Sequence, residues 1–160
     1  MSFPAVEAGV VRARNFLRGR LAGRVRRKAM SSPFPEDASS RLLLVTQAER
    51  LPQSQAYGFH HFSADLKRLL GTELREADLG DVLAGRPSVA KGATVVAFQT
   101  PFDVSDDDLG RLLAWIRSQH PGARIGCLDW FAPTDLRNAA RLADEIDFYV
   151  KKHVLRDREQ

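Results

Sequence analysis

The side chains best suited to work on a ligand fall into a few tight groups along the 160-residue chain. The densest is Asp129-Trp130-Phe131-Ala132-Pro133-Thr134-Asp135, where two carboxylates stand beside two aromatic rings. A carboxylate can take a proton from a hydroxyl, and an aromatic face can carry a sugar ring. Asp129 is the favoured functional residue of this group, with Trp130 and Thr134 as ligand contacts. The competing reading packs Trp130 and Phe131 under a sheet and uses Thr134 or Asp135 as a helix cap. Gln99-Thr100-Pro101-Phe102-Asp103 is a second group. The amide of Gln99 and the hydroxyl of Thr100 can orient a polar ligand, and Phe102 can support a sugar or base ring. A plain turn, with Pro101 ending a strand and Asp103 capping locally, explains the same residues.

Two further groups complete the candidates. His60 and His61 are neighbours in a helical stretch, about 100° apart around the axis, so they do not readily chelate one metal together. His60 is a second candidate base after Asp129. The preceding loop supplies Gln53, Ser54 and Tyr57 as hydrogen-bonding groups. Lys151, in Tyr149-Val150-Lys151-Lys152, can meet a phosphate or carboxylate, although a solvated lysine pair is the commoner arrangement. Ser105-Asp106-Asp107-Asp108 resembles a metal site but reads better as a helix cap with first-turn acids. Cys127 is the lone cysteine, which excludes a disulfide framework and a cysteine-based zinc site within one chain. No G-x-G-x-x-G or P-loop is present, so the usual backbone cradles for dinucleotides and triphosphates are missing. No metal or cofactor is expected.

The elements that would position these groups alternate between strands and helices. Leu42-Leu43-Leu44-Val45, Thr94-Val95-Val96-Ala97-Phe98 and Arg124-Ile125-Gly126-Cys127-Leu128 are short apolar runs suited to strands buried on both faces. Glu73–Asp78 alternates only weakly and predicts an exposed edge strand, and Phe148-Tyr149-Val150 predicts the last strand. Helices are expected from about Gln55 to Leu70 (ended by Gly71), around Asp81–Ala84, from Ser105 through Gln119, and over Thr134–Ala143. The fold class is therefore α/β: a single Rossmann-like three-layer domain whose five parallel strands are joined by right-handed crossovers. An edge position for the polar second strand and central positions for the two most apolar strands give the order 2-1-3-4-5. Loops 46–56 and 99–105 then face each other across the switch point, with 129–135 as a third wall. Phosphoacceptor receiver domains share this strand order. They need acids after strand one and an aspartate ending strand three, where this chain has Thr46-Gln47 and Gln99-Thr100.

Charge divides the chain into parts. Residues 1–30 hold eight basic side chains against Glu7, so the net charge of +4 is +7 in this leader and −3 in the remainder. A sequence pI of 9.6 therefore describes the leader rather than the body. Val6, Val10, Ala13, Leu17, Leu21 and Val25 form a helical stripe among arginines over residues 5–29. Such a helix can lie on an anionic membrane surface, held mainly by charge. Nucleic acid fits the charge, but Phe3 and Phe16 are the only stacking residues there, so it is not the expected partner. A disordered basic tail is the alternative. Residues 31–40, with two prolines and four serines, read as a linker, and the α/β domain spans 41–160. No apolar run approaches the roughly 20 residues of a membrane span, nor is there a secretory signal core. The expected location is cytoplasmic, peripheral on the inner membrane if the leader binds there.

The run Cys127-Leu128-Asp129-Trp130-Phe131-Ala132-Pro133-Thr134-Asp135 followed by Tyr149-Val150-Lys151-Lys152 resembles the amino-terminal half of bacterial GT-B glycosyltransferases of the polysaccharide-building kind. The resemblance covers about residues 41–158. It implies an acceptor-side domain of an enzyme that moves a sugar from a nucleotide-sugar to a carbohydrate or lipid-linked acceptor. Asp129 or His60 would take the acceptor's proton, and the loops named above would line the acceptor side. The donor would bind on a partner domain, without which the chain is expected to be incomplete. The alternative is a non-catalytic α/β binding module tethered through its basic helix to a membrane or polyanion.

Overall fold

The computed structural model describes Arg24 and residues 26–47, 55–131 and 136–152. After a helical segment over 26–31 (α1), the elements are β1 (Ser40–Thr46), α2 (Ala56–His61), α3 (Ser63–Leu70), β2 (Thr72–Asp78), α4 (Leu79–Leu83), β3 (Val95–Phe98), α5 (Asp106–Gln119), β4 (Arg124–Asp129), α6 (Arg137–Leu142) and β5 (Phe148–Lys151). The five strands form one parallel sheet in the order β2-β1-β3-β4-β5, as the distribution of apolar residues predicts. This is a Rossmann-like α/β sheet with helices on its faces. No helix among the described residues is long and apolar enough to cross a membrane.

Leu42–Thr46 is buried throughout because β1 lies between two strands and both its faces are covered. Successive side chains point to opposite faces. Leu43, Val45, Val96, Phe98, Ile125 and Cys127 accordingly meet Leu109, Leu112, Leu113 and Ile116 of α5 in the larger core. Leu42, Leu44, Ala97 and Leu128 meet Ala56 and Leu74 in a smaller core on the other face. Burying each of these large aliphatic side chains stabilises the fold by about 1.5–3 kcal/mol, so the α5 face carries most of the packing. Ser105 caps α5 as expected, its Oγ accepting from the Asp108 amide at 3.1 Å. Gly126 allows β4 to pass beneath Phe148, whose ring occupies the space that any Cβ at 126 would need.

Two expectations are revised by the structure. The continuous helix over 55–70 is two helices, α2 and α3, with Phe62 between them outside helical geometry. The Ser63 hydroxyl donates to the His60 carbonyl at 3.0 Å, a local bond of the kind that bends helices. Gly71 then ends α3 at φ 61, as the sequence indicates.

The second revision concerns β2. It is an edge strand but not an exposed one: Leu74, Arg75 and Glu76 are all buried. The chain before β1 covers it. Arg75 Nε donates to the carbonyls of Ser32 (3.1 Å) and Pro33 (2.9 Å), and its guanidinium lies 5.5 Å from the Phe34 ring centre. Phe34 joins the larger core, while Arg26 of α1 binds Glu76. Arg75 and Glu76 point to opposite faces of β2, so residues 26–34 wrap around its outer edge. Residues 5–23 and 25 of the expected leader helix lie outside the described residues.

Candidate functional site

Asp129 is the last residue of β4, placed by register opposite Lys151 of β5. Its carboxylate is enclosed and met on several sides. Lys151 Nζ lies 2.8 Å from Oδ2, the Tyr149 phenol donates to the same oxygen, and the Phe131 amide donates to Oδ1 at 3.0 Å. The Asp129 carbonyl accepts from Gln55 Nε2 and from the Lys152 amide, both at 2.9 Å. One residue therefore ties together the ends of β4 and β5, the turn at 130–131, and the loop after β1. Parallel pairing brings Tyr149 and Lys151 to it from the same face of β5, two residues apart.

Beyond this knot lies a cleft of about 130 Å³. Asp129 and Lys151 come to it from strand ends, Phe102 and Phe131 from loops, and Arg137, Asn138 and Arg141 from α6. The two phenylalanine rings meet edge to face, 4.8 Å apart, and Phe102 remains 58% exposed. Arg141 is held by Asp106 at 2.5 Å, and Trp130 Nε1 donates to the Thr100 carbonyl at 2.9 Å. The arrangement combines an apolar ring surface, an amide and three cationic groups at the carboxyl edge of a parallel sheet, where ligands of such folds bind.

A second buried cluster forms on the far side of β1. Glu76, in register with Leu44, receives Thr46 Oγ1 at 2.5 Å and Arg26 Nη2 at 2.8 Å. Arg26 Nε reaches both carboxylate oxygens, at 3.1 and 3.0 Å. His60 Nε2 lies 2.8 Å from Oε2, off the line of the ring N–H, and His60 Nδ1 has no hydrogen-bond partner. Burial pushes the Glu76 pKa upward. The contacts with His60, Arg26 and Thr46 outweigh it and hold the carboxyl at about 2, against an ordinary 4.5.

The predicted residues therefore separate. Asp129, Phe102, Trp130, Thr100 and Lys151 gather at or beside one cleft. His60 belongs to the Glu76 cluster and its side chain is wholly enclosed. Tyr57 is 39% exposed and stacks on His61, 6.0 Å away. Gln99 is buried at the end of β3, where its backbone N–H donates to the Val45 carbonyl at 2.8 Å and its side-chain Oε1 has no partner. Gln53, Ser54 and Thr134 lie outside the described residues. Burial and then the neighbouring Asp129 push the Cys127 thiol up to about 12, far from a nucleophile's range. No group of acids, histidines and cysteines able to hold a metal occurs among the described residues.

Sequence reasoning passed over Glu76, Arg26, Asn138, Arg137 and Arg141. For Glu76 a signal existed: two-residue alternation places it on the same face as Leu74, which turns inward. For α6, three polar residues at positions 137, 138 and 141 follow helical spacing and mark one face. The chain finds no match among protein-family models, curated proteins or solved structures.

Proposed function

We propose that this domain is the acceptor-side half of a GT-B-type glycosyltransferase and that the cleft beyond β3, β4 and β5 receives the carbohydrate acceptor. The observation that carries the reading is the pairing of Phe102 and Phe131 with the polar face of α6 in one recess. A sugar ring presents an apolar face to aromatic carbon and hydroxyls to amides and guanidinium groups. An engineered cavity of roughly 150 Å³ takes one benzene ring, so a cleft of about 130 Å³ suits a single six-membered ring. A nucleotide-sugar donor would then approach from a partner domain.

In this reading Asp129 positions rather than reacts. Three donors already occupy its two oxygens, and only 2% of its side chain is exposed. It orients Lys151 and fixes the Phe131 turn that shapes the recess. The test is a titration of the full chain with neutral mono- and disaccharides, followed by amide NMR shifts. Shifts centred on Phe102, Phe131 and Asn138 that vanish in Phe102→Ala are expected. Saccharides that leave those amides unmoved, with and without a donor-binding partner, would remove the reading.

A further inference from the structure

We propose that the cleft contains a phosphate subsite formed by Arg137, Arg141 and Lys151, so that the ligand is a phosphorylated sugar. The inference rests on the acceptor reading for the sugar ring and on charge and geometry for the phosphate. Among the described residues three cations and one carboxylate, Asp129, line the recess, and Asp106 pairs with Arg141 at its rim. A phosphomonoester is close to a dianion at neutral pH, with a second pKa of about 6, and offers three acceptor oxygens to these three cationic groups. A carboxylate carries half that charge and only two acceptor oxygens.

Lys151 and Arg141 are held differently, and both arrangements suit an incoming anion. Lys151 Nζ belongs to a side chain only 5% exposed, and Asp129 accounts for one of its three N–H donors. An ammonium taken so far out of water gains from a further anionic acceptor. Arg141 is committed to Asp106, but that carboxylate is 88% exposed, and exposed pairs contribute little. A phosphate can therefore replace Asp106 at small cost and accept from the guanidinium fork. Arg137 lies one helical turn from Arg141 on α6, which brings both guanidinium groups to the same recess. Phe102 and Phe131 border the cationic end, which places a sugar ring against carbon while its phosphate meets charge.

The test is calorimetric titration of the full chain with inorganic phosphate, a neutral hexose, a hexuronate and a hexose phosphate at low and moderate salt. The hexose phosphate is expected to bind at least tenfold tighter than the hexose, with the uronate between them, and to weaken with salt. Arg137→Gln/Arg141→Gln should abolish that advantage while changing the melting temperature by only a few degrees, since Arg137 is exposed and Arg141 pairs with an exposed carboxylate. Equal affinity for hexose and hexose phosphate would overturn the phosphate subsite and leave the acceptor reading standing. Phosphate binding as tightly as hexose phosphate would uphold the subsite and remove the sugar from it. An unchanged advantage in the double variant would also overturn the proposal.

Discussion

Replacing Glu76 by glutamine probes the buried cluster that fastens the leader to the sheet. The carboxyl moves from an ordinary pKa of 4.5 to about 2 on folding. At about 1.4 kcal/mol per tenfold, that displacement corresponds to about 3 kcal/mol of stability held by the ionised form. The sign follows from the direction. A depressed folded pKa means that the unfolded chain binds more protons, so the contribution is complete above pH 4.5 and disappears as pH falls through about 2. Glutamine keeps the shape and one acceptor but removes the charge that faces Arg26, whose side chain is only 15% exposed. Glu76→Gln should therefore lose about 3 kcal/mol at pH 7, which for a domain of this size lowers the melting temperature by about 6–12 °C. Urea unfolding from pH 7 to pH 2 reads both effects. The wild type should show a steep acid limb between pH 4.5 and 2 that is shallower in the variant. A variant within about 0.5 kcal/mol of wild type at pH 7, with an unchanged acid limb, would refute the assignment of this energy to Glu76.

Three other outcomes are expected. Gly126→Ala should cost about 1–3 kcal/mol, because its Cβ meets the Phe148 ring, and pairing it with Phe148→Leu should recover part of the loss in chemical denaturation. Burial lowers the pKa of His120 from 6.5 to about 4, so its contribution is complete above pH 6.5 and is lost as pH falls through 4. His120→Asn should flatten stability across that higher window while leaving the lower, Glu76-dependent one in place. Asp129→Asn should destabilise by about 3–5 kcal/mol, since it leaves the buried Lys151 ammonium without its counter-charge. Asp129→Asn/Lys151→Met should restore much of that in a thermal melt, and failure to do so would mean that the pair is not the source of the loss.

The sheet order was legible because burial is written into strand composition. Leu42–Val45 and Val95–Phe98 are apolar on both faces and can only be central, whereas Glu73–Asp78 is polar and must be an edge. Ser105 announced its helix through a cap, a local contact between residues three apart. The covering of β2 was not legible. Arg26 meets Glu76 across 50 positions, and nothing near Glu76 states that an arginine from the leader will reach it. The cleft was legible in part. Asp129, Trp130, Phe102 and Lys151 stood out by type and by position after strands. The commitment of Asp129 to Lys151 and Tyr149 depends on the parallel register of β4 and β5, which composition does not reveal. The split at Phe62 was hidden for a different reason: the Ser63 hydroxyl bond to the His60 carbonyl that accompanies it is a small local signal inside a helical pattern.

The segment over 26–34 also closes one edge of the sheet. By clasping β2 from both faces it occupies the flank where another chain's backbone would otherwise dock. Among the described residues the opposite margin, β5, has no such guard, and Val150 there is 44% exposed. A strand added at that margin would lie next to the Lys151–Asp129 pair, so growth of the sheet there and occupation of its cleft would take place side by side.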